Sequence, residues 1–312
     1  MAHKKADLTK IRTIPLNVRK CKVSIDEFAK PMTKGGSFKT FYNSLPAILV
    51  SQGFRNLVDA VVKAHKNKKM VIFTMGAHVI KCGLSPLIID LMKRGVVKAV
   101  ALNGAGMIHD TEIAMIGRTS EDVGESILDG SFGMAKETAY FINETINKGY
   151  SKGYGIGEVV GAEIMKKKLP HRDLSILASG CKYGVPITVH VAIGTDIIHQ
   201  HPSANGAAIG EGSLLDFKTF IYSVAKLEDG VLINFGSAVV LPEVFLKSVT
   251  VSRNLGYKLD RFTTANFDMI SQYRPHQNIL ARPTSKGGKG INIIGHHEIM
   301  IPLLYRAVIE NI

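Results

Sequence analysis

Two apolar runs, KMVIFTM (Lys69–Met75) and VVKAVAL (Val96–Leu102), constrain this chain more than any other feature. Each is short and nearly continuous, without the alternation of a strand that has one wet face. Strands buried on both sides read this way and belong to parallel sheets covered by helices. Between the two runs lies SPLIIDLMKRG, which reads as a helix. Ser85 is placed to cap it and Pro86 suits its first turn. Lys93 and Arg94 favour its C-terminal end, and Gly95 terminates it. Strand, helix and strand make one βαβ unit of roughly 30 residues.

The alternation continues. Helical patterns over Ser131–Lys148, Ser213–Lys226 and Val239–Arg253 are interleaved with strand patterns over Val185–Ala192, Gly230–Phe235 and Lys258–Ala265. INIIG then precedes a C-terminal helix, and FYNSLPAILVSQGFRNLVDAVVKAHK carries helix-period apolar positions upstream. The pattern predicts an α/β fold: a doubly wound, mostly parallel, Rossmann-like sheet with helices on both faces. Residues 1–40 read as a basic N-terminal arm that ends in the loop KPMTKGG, and residues 41–312 as a single α/β domain.

The 312 residues are 46% hydrophobic and 21% charged, enough to bury a core and too apolar for disorder. No run reaches the roughly 18 apolar residues of a membrane span, and the N-terminus lacks the apolar stretch of a secretory signal. Cys21, Cys82 and Cys181 are odd in number and far apart, which fits a reducing, cytoplasmic setting better than a disulfide framework. The formal net charge is +13, and residues 1–40 hold ten Lys/Arg against three Asp/Glu. A basic arm can dock an acidic protein partner. It has no interleaved aromatics and no zinc-finger spacing, so specific nucleic-acid binding is not expected.

In open parallel sheets, ligands bind beyond the carboxyl ends of the strands. Those ends read GAHVIKCG, NGAGMIHD, IGTDIIHQHP, NFGSAVVLPE and TANFD. In the second, Gly104, Ala105 and Gly106 remove bulk where a ligand can lie on the backbone, and their N–H groups suit phosphate oxygens. A tight strand-to-helix turn without a ligand reads the same way. His109 and Asp110 form a candidate proton-handling pair, or Asp110 holds a ribose hydroxyl. GYGIGE (Gly153–Glu158) follows no clear strand and is not a dinucleotide fingerprint. HQHP (His199–Pro202) and GHHE (Gly295–Glu298) offer imidazoles and a carboxylate that suit zinc, without a HExxH spacing. Lys81 reads as a surface charge and Cys82 as a packing residue.

Across roughly residues 70–295, and most closely in GAHVIKCGLSPLIIDLMKRGVVKAVALNGAGMIHD, the chain resembles the deoxyhypusine synthase family. VAIGTDI and NFGSAVVLPE resemble two further segments of that family. The resemblance implies an NAD-binding Rossmann-like domain and a homotetramer with sites at dimer interfaces. It also implies oxidation of a polyamine with NAD and transfer of its aminobutyl group through an imine on an enzyme lysine. The positions carried over to the cofactor are Thr74, Gly76, Ala77, His78, Asn103, Gly104, Ala105, Gly106, Asp110, Asp196, Gly236 and Ser237. The chain departs from the family in three places. It has no tryptophan, so the family's Trp-Gly-Lys motif is absent, and Lys286 and Lys289 are the nearest candidates for the imine lysine. The family's paired acids become Ile108-His109, and its paired histidines become Pro242-Glu243.

The expected function is therefore an NAD-dependent enzyme of amine or polyamine chemistry, an aminoalkyl transfer or a related imine reaction. His109 is the expected base, Asp110 its orienting group, Lys289 the nucleophile and Glu243 a substrate contact. Two alternatives stand beside it. One is a metal-assisted hydrolase using His199, His201, His296 and His297. The other is a non-catalytic nucleotide-binding protein whose arm docks an acidic partner.

Overall fold

The computed structural model describes residues 3–312. Two compact units divide the chain, Met1–Gln52 and Gly53–Ile312. The division falls beyond residue 40, where the sequence placed the end of the arm. Backbone bonds from Lys30 N to Ser44 O and from Ala47 N to Glu27 O, each 2.9 Å, join the later residues to the arm. The first unit is irregular. Among its described residues it has three 3₁₀ turns, a short helix, α1 (Phe38–Ser44), capped by the Ser37 hydroxyl, and the start of a longer one. Residues 1 and 2 of the expected arm lie outside the described residues. Pro46 separates α1 from α2 (Leu49–Lys66), so the long helix-period stretch forms two helices.

In the second unit, β1 (Val71–Met75), α3 (His78–Lys81), α4 (Ser85–Lys93) and β2 (Ala99–Asn103) form the expected first βαβ unit. Ser85 is not the cap of α4. It is the first helical residue, buried, with Pro86 behind it. Then come α5 (Gly104–Ile116), α6 (Val123–Asp129), α7 (Lys136–Tyr150), α8 (Ile156–Lys166), α9 (Ile176–Tyr183) and β3 (Ile187–His190). The chain continues through α10 (Gly206–Val224), β4 (Val231–Phe235), α11 (Val240–Asn254), β5 (Thr263–Asp268) and α12 (Tyr273–Pro275), which runs into a π-helical turn, His276–Ala281. It ends with β6 (Lys289–Ile294) and α13 (His297–Ile309).

The six strands form one parallel sheet in the order β3-β2-β1-β4-β5-β6. Four of the expected strands fall within a few residues of their positions. β5 starts five residues late, because Leu259 and Phe262, which carry the apolar signal of Lys258–Ala265, are buried in the core rather than in the ladder. NGAGMIHD is the largest departure. It is no loop but the start of α5, with the Asn103 side chain accepting the Gly106 N–H at 2.9 Å.

On one face of the sheet, Ile72 and Leu232 pack with Phe220 and Val224 of α10 and with Leu241, Phe245 and Val249 of α11. On the other face, the Phe73 and Phe235 rings meet edge-to-face at 5.0 Å, and Phe235 lies 5.1 Å from Phe267. Fully burying a side chain of this size contributes on the order of 2 kcal/mol. Edge strand β3 is closed by α10. The Asp216 carboxylate accepts Val189 N at 2.8 Å and the Ser213 hydroxyl accepts Val191 N at 3.2 Å. Asp216 also accepts Gly157 N at 2.9 Å, which ties the start of α8 to the same edge.

Candidate active site

Strand order reverses between β1, which is followed by β2 on one side, and β4, which continues on the other. Ligands of open α/β sheets bind in the crevice that such a reversal creates at the carboxyl ends. The segments Gly76–His78 and Gly236–Ser237 leave from the two strands that flank it. They approach closely: Gly76 N donates to Phe235 O at 3.0 Å, and a Cβ on Gly76 would lie 3.1 Å from Gly236 O. Gly236 has φ +67°, and a Cβ there would lie 2.5 Å from the His297 Nε2. A glycine is required on both counts.

Beneath this rim runs a buried polar row in ladder register. The Thr74 hydroxyl donates to Asn234 Oδ1 at 2.9 Å, Asn234 Nδ2 to Asn266 Oδ1 at 2.8 Å, and Asn266 Nδ2 to Asn292 Oδ1 at 3.2 Å. Asn234 Nδ2 also reaches Ser237 O at 3.0 Å, and the Ser237 hydroxyl accepts Leu241 N at 3.3 Å in the first turn of α11. Four strands thus fix the β4 loop. Thr74 acts inside the sheet as an anchor of Asn234, not as a surface that a cofactor touches.

Above the row, a cavity of about 80 Å³ is lined by His78, Asp268, His296, His297 and Glu298, with Gly236 at its floor. His297 is buried and its ring lies 6.0 Å from that of His78. Burial pushes its pKa down, a tendency that Asp268 opposes, and its Nδ1 is buried without a partner. Asp268 is buried and accepts Met269 N at 2.8 Å. The Cys82 thiol donates to Glu298 at 3.7 Å and is pushed up by burial, so it is not an activated nucleophile. Two carboxylates and three imidazoles line this space and no lysine or arginine does. Such a lining attracts a cation, and a neutral imidazole beside it is equipped to take a proton.

A second set of groups lies at the ends of β2 and β3. The Asp196 carboxylate rests so closely on Gly104 that any Cβ there would overlap it. Burial pushes this carboxyl up to about 6, and its Oδ2 is buried without a partner. His199 Nδ1 accepts the N–H groups of Gly194 at 3.1 Å and Asp196 at 3.3 Å, which puts the ring proton on Nε2. That Nε2 is also buried and unpaired. Nearby, at the end of β3, a cavity of about 290 Å³ between α10 and α11 is walled by Ile193, Ile209, Leu214, Phe217 and Val240. Asp196 and His199 do not line that slot; its apolar walls suit a ring, and the unpaired acceptor and donor are of the kinds that meet ribose hydroxyls. They do not fit a phosphate on Gly104–Gly106, because Asn103 and Asp196 already occupy the first turn of α5.

His109 and Asp110 do not act as a pair. Successive residues on a helix point about 100° apart. Asp110 is fully buried and accepts the Ser175 hydroxyl at 2.5 Å, Ile176 N at 2.7 Å and Leu177 N at 3.1 Å, so it caps α9. His109 Nδ1 meets the Thr119 hydroxyl at 2.6 Å, within a group that Glu112 and Thr138 complete. Lys289 is displaced further. It opens β6, so it stands on the amino rim of a parallel sheet, about 16 Å of strand away from the carboxyl rim. Lys286 precedes it, paired with Asp260 at 3.9 Å. Glu243 is engaged by Lys247, by Arg274 at 3.4 Å and by Asn278 at 2.8 Å, which leaves it tying α11 to the π-helical turn. The four histidines of the metal alternative divide between the β3 and β6 loops, with His201 turned to the Ser203 hydroxyl at 2.7 Å. Among the described residues, no three His, Cys, Asp or Glu converge to hold a metal ion. Asp268 had no assigned role, and His297 was named only for the metal alternative; their signal was an acid ending one apolar strand and a histidine following another.

No family model and no curated protein matches the chain. Solved structures do. A protein assigned as LOR/SDH from Methanococcus maripaludis S2 is 14% identical with a TM-score of 0.50, over 89% of this chain and 71% of that one. AgrE, in a ternary complex with ornithine and NAD+, is 13% identical with a TM-score of 0.54, over 84% of this chain. This chain spans about a third of AgrE, 33% of its length. A protein assigned as deoxyhypusine synthase from Entamoeba histolytica is 11% identical with a TM-score of 0.53, over 90% of this chain and 96% of that one. With its six-stranded parallel sheet, the chain has a deoxyhypusine-synthase-like α/β fold.

Proposed function

We propose that this protein is an NAD-dependent enzyme acting on an amine or polyamine, by aminoalkyl transfer or a related imine reaction. The carboxylate- and imidazole-lined cavity beside the β1/β4 crevice is the observation that carries the reading. Asp268 and Glu298 would hold an ammonium group, and His297, kept neutral by burial, would take the proton that the amine must lose before it reacts. Asp196 and His199 would bind ribose hydroxyls, and the apolar slot beside Phe217 would exclude water from a ring. Bound NAD would supply a hydride acceptor. AgrE, which shares the fold, has been captured with NAD+ and an amino acid that carries a side-chain amine, which favours the same pairing here. A homotetramer belongs to the same proposal.

Calorimetric titration with NAD tests it. The expected result is saturable binding that Asp196→Ala weakens at least about tenfold, a loss of 1.4 kcal/mol or more. Spermidine with NAD should then yield reduced cofactor, and His297→Ala should abolish that yield while leaving NAD affinity intact. Absence of saturable NAD binding overturns the proposal.

A further inference from the structure

We infer that the opposite, amino rim of the sheet carries a second ligand site, which takes a small phosphorylated compound. A cavity of about 560 Å³ opens there, where α2 passes the starts of β4, β5 and β6. Four cationic side chains line it, Lys63, Lys69, Arg261 and Lys289, against two carboxylates, Asp59 and Asp229. Asp229 is already shared, with Lys69 at 3.5 Å and Arg261 at 3.6 Å, and Arg261 also reaches Glu228 at 3.4 Å. Among the described residues, Lys63 and Lys289 have no carboxylate within 4.0 Å. Two unneutralised ammonium groups therefore line one concave space from two different elements.

Both lysines are anchored by regular backbone. Lys63 lies on α2, and Lys289 pairs with Thr263 as the first residue of β6. The glycines before Lys289 hold the chain tightly. Gly287 has φ +118°, and a Cβ on Gly288 would lie 2.6 Å from Phe262 O. A single anion with charge spread over several oxygens can neutralise two separated lysines at once, and lysine binds phosphate as a point charge. The volume lies in the range of small-molecule pockets rather than of extended macromolecular grooves. Asp59 is left to accept a hydroxyl of the same molecule, so the ligand class is a phosphate ester of a hydroxylated compound. The candidate active site has the reverse character, with carboxylates and no lysine or arginine. The two sites lie at opposite ends of the same strands.

The test is calorimetric titration of the full chain with inorganic pyrophosphate and with ribose 5-phosphate at low ionic strength. Saturable binding is expected for each, weakened at least about tenfold by Lys63→Gln and by Lys289→Gln. Lys148→Gln, on α7, should leave it unchanged, although it removes the same charge. Asp196→Ala should leave it unchanged too, which separates this site from the proposed NAD site. Unfolding midpoints equal to that of the parent chain show that the lysine variants fold. No saturable binding, or equal weakening by all three lysine variants, overturns the inference, because net charge alone would then account for the affinity.

Discussion

Replacing Gly236 by alanine tests the geometry on which the candidate site rests. Two costs are expected. A left-handed backbone, here φ +67°, costs a non-glycine residue about 1–2 kcal/mol. The new methyl would also sit 2.5 Å from His297 Nε2, and overpacking a tight interior costs about 1–3 kcal/mol more. Gly184 supplies the reference. It has φ +66° and nothing within 4 Å of its absent Cβ, so Gly184→Ala carries only the backbone cost. Urea unfolding of both variants should show Gly236→Ala the more destabilised, by about 1–3 kcal/mol. In a His297→Ala background the ring is gone, and the cost of Gly236→Ala should fall to that of Gly184→Ala. Equal costs for the two glycines, or no coupling between positions 236 and 297, would refute the placement of the His297 ring over the β4 loop. The assignment of His297 as the base would fall with it.

Two further predictions concern the buried carboxylates. Asp110→Ala strands the N–H groups of Ile176 and Leu177 at the start of α9, and each unsatisfied donor costs about 1–3 kcal/mol. Thermal unfolding should show a large loss, while NAD affinity should not change; a stable Asp110→Ala protein with weakened NAD binding would return Asp110 to the cofactor site. Burial pushes the Asp216 carboxyl up to about 7, above its unfolded value of 3.8. Its stabilising contribution is then full below pH 3.8 and is lost as pH rises toward 7. The total loss is on the order of 4 kcal/mol, at about 1.4 kcal/mol per pH unit. His190 acts in the opposite sense, because burial lowers it from 6.5 to about 3, so its contribution is lost as pH falls below 6.5. Subtracting the urea-unfolding stability of Asp216→Asn from that of the parent at each pH removes the histidine contributions, which both chains share. That difference should fall as pH rises from 3.8 toward 7 and level off above it. A difference that is flat or rises with pH contradicts the assigned burial.

The alternation of strand and helix was legible because hydrophobic periodicity is a local property. A buried strand must be apolar wherever it lies in the sheet, so the cores of β1, β2 and β4 stand out in the sequence. The strand ends followed, and with them the loops at Gly76, Asn103 and Gly236. The start of α5 was not legible, because glycine and alanine after an asparagine read equally as a turn or as a capped helix. That one ambiguity joined His109 to Asp110 as a pair, when the helix turns one toward Thr119 and the other under α9.

By itself the sequence determined the fold class and the strand tips, since both follow from short-range patterns of burial. Only tertiary structure decided which tips adjoin and what each polar group meets. Lys289 and His297 are eight residues apart, yet one begins β6 and the other follows it. A parallel strand carries the chain from one rim of the sheet to the other, so neighbours in sequence serve opposite faces of the molecule. Residues as distant as His78 and His297 meet instead, because pairing between strands sets which carboxyl ends share a crevice.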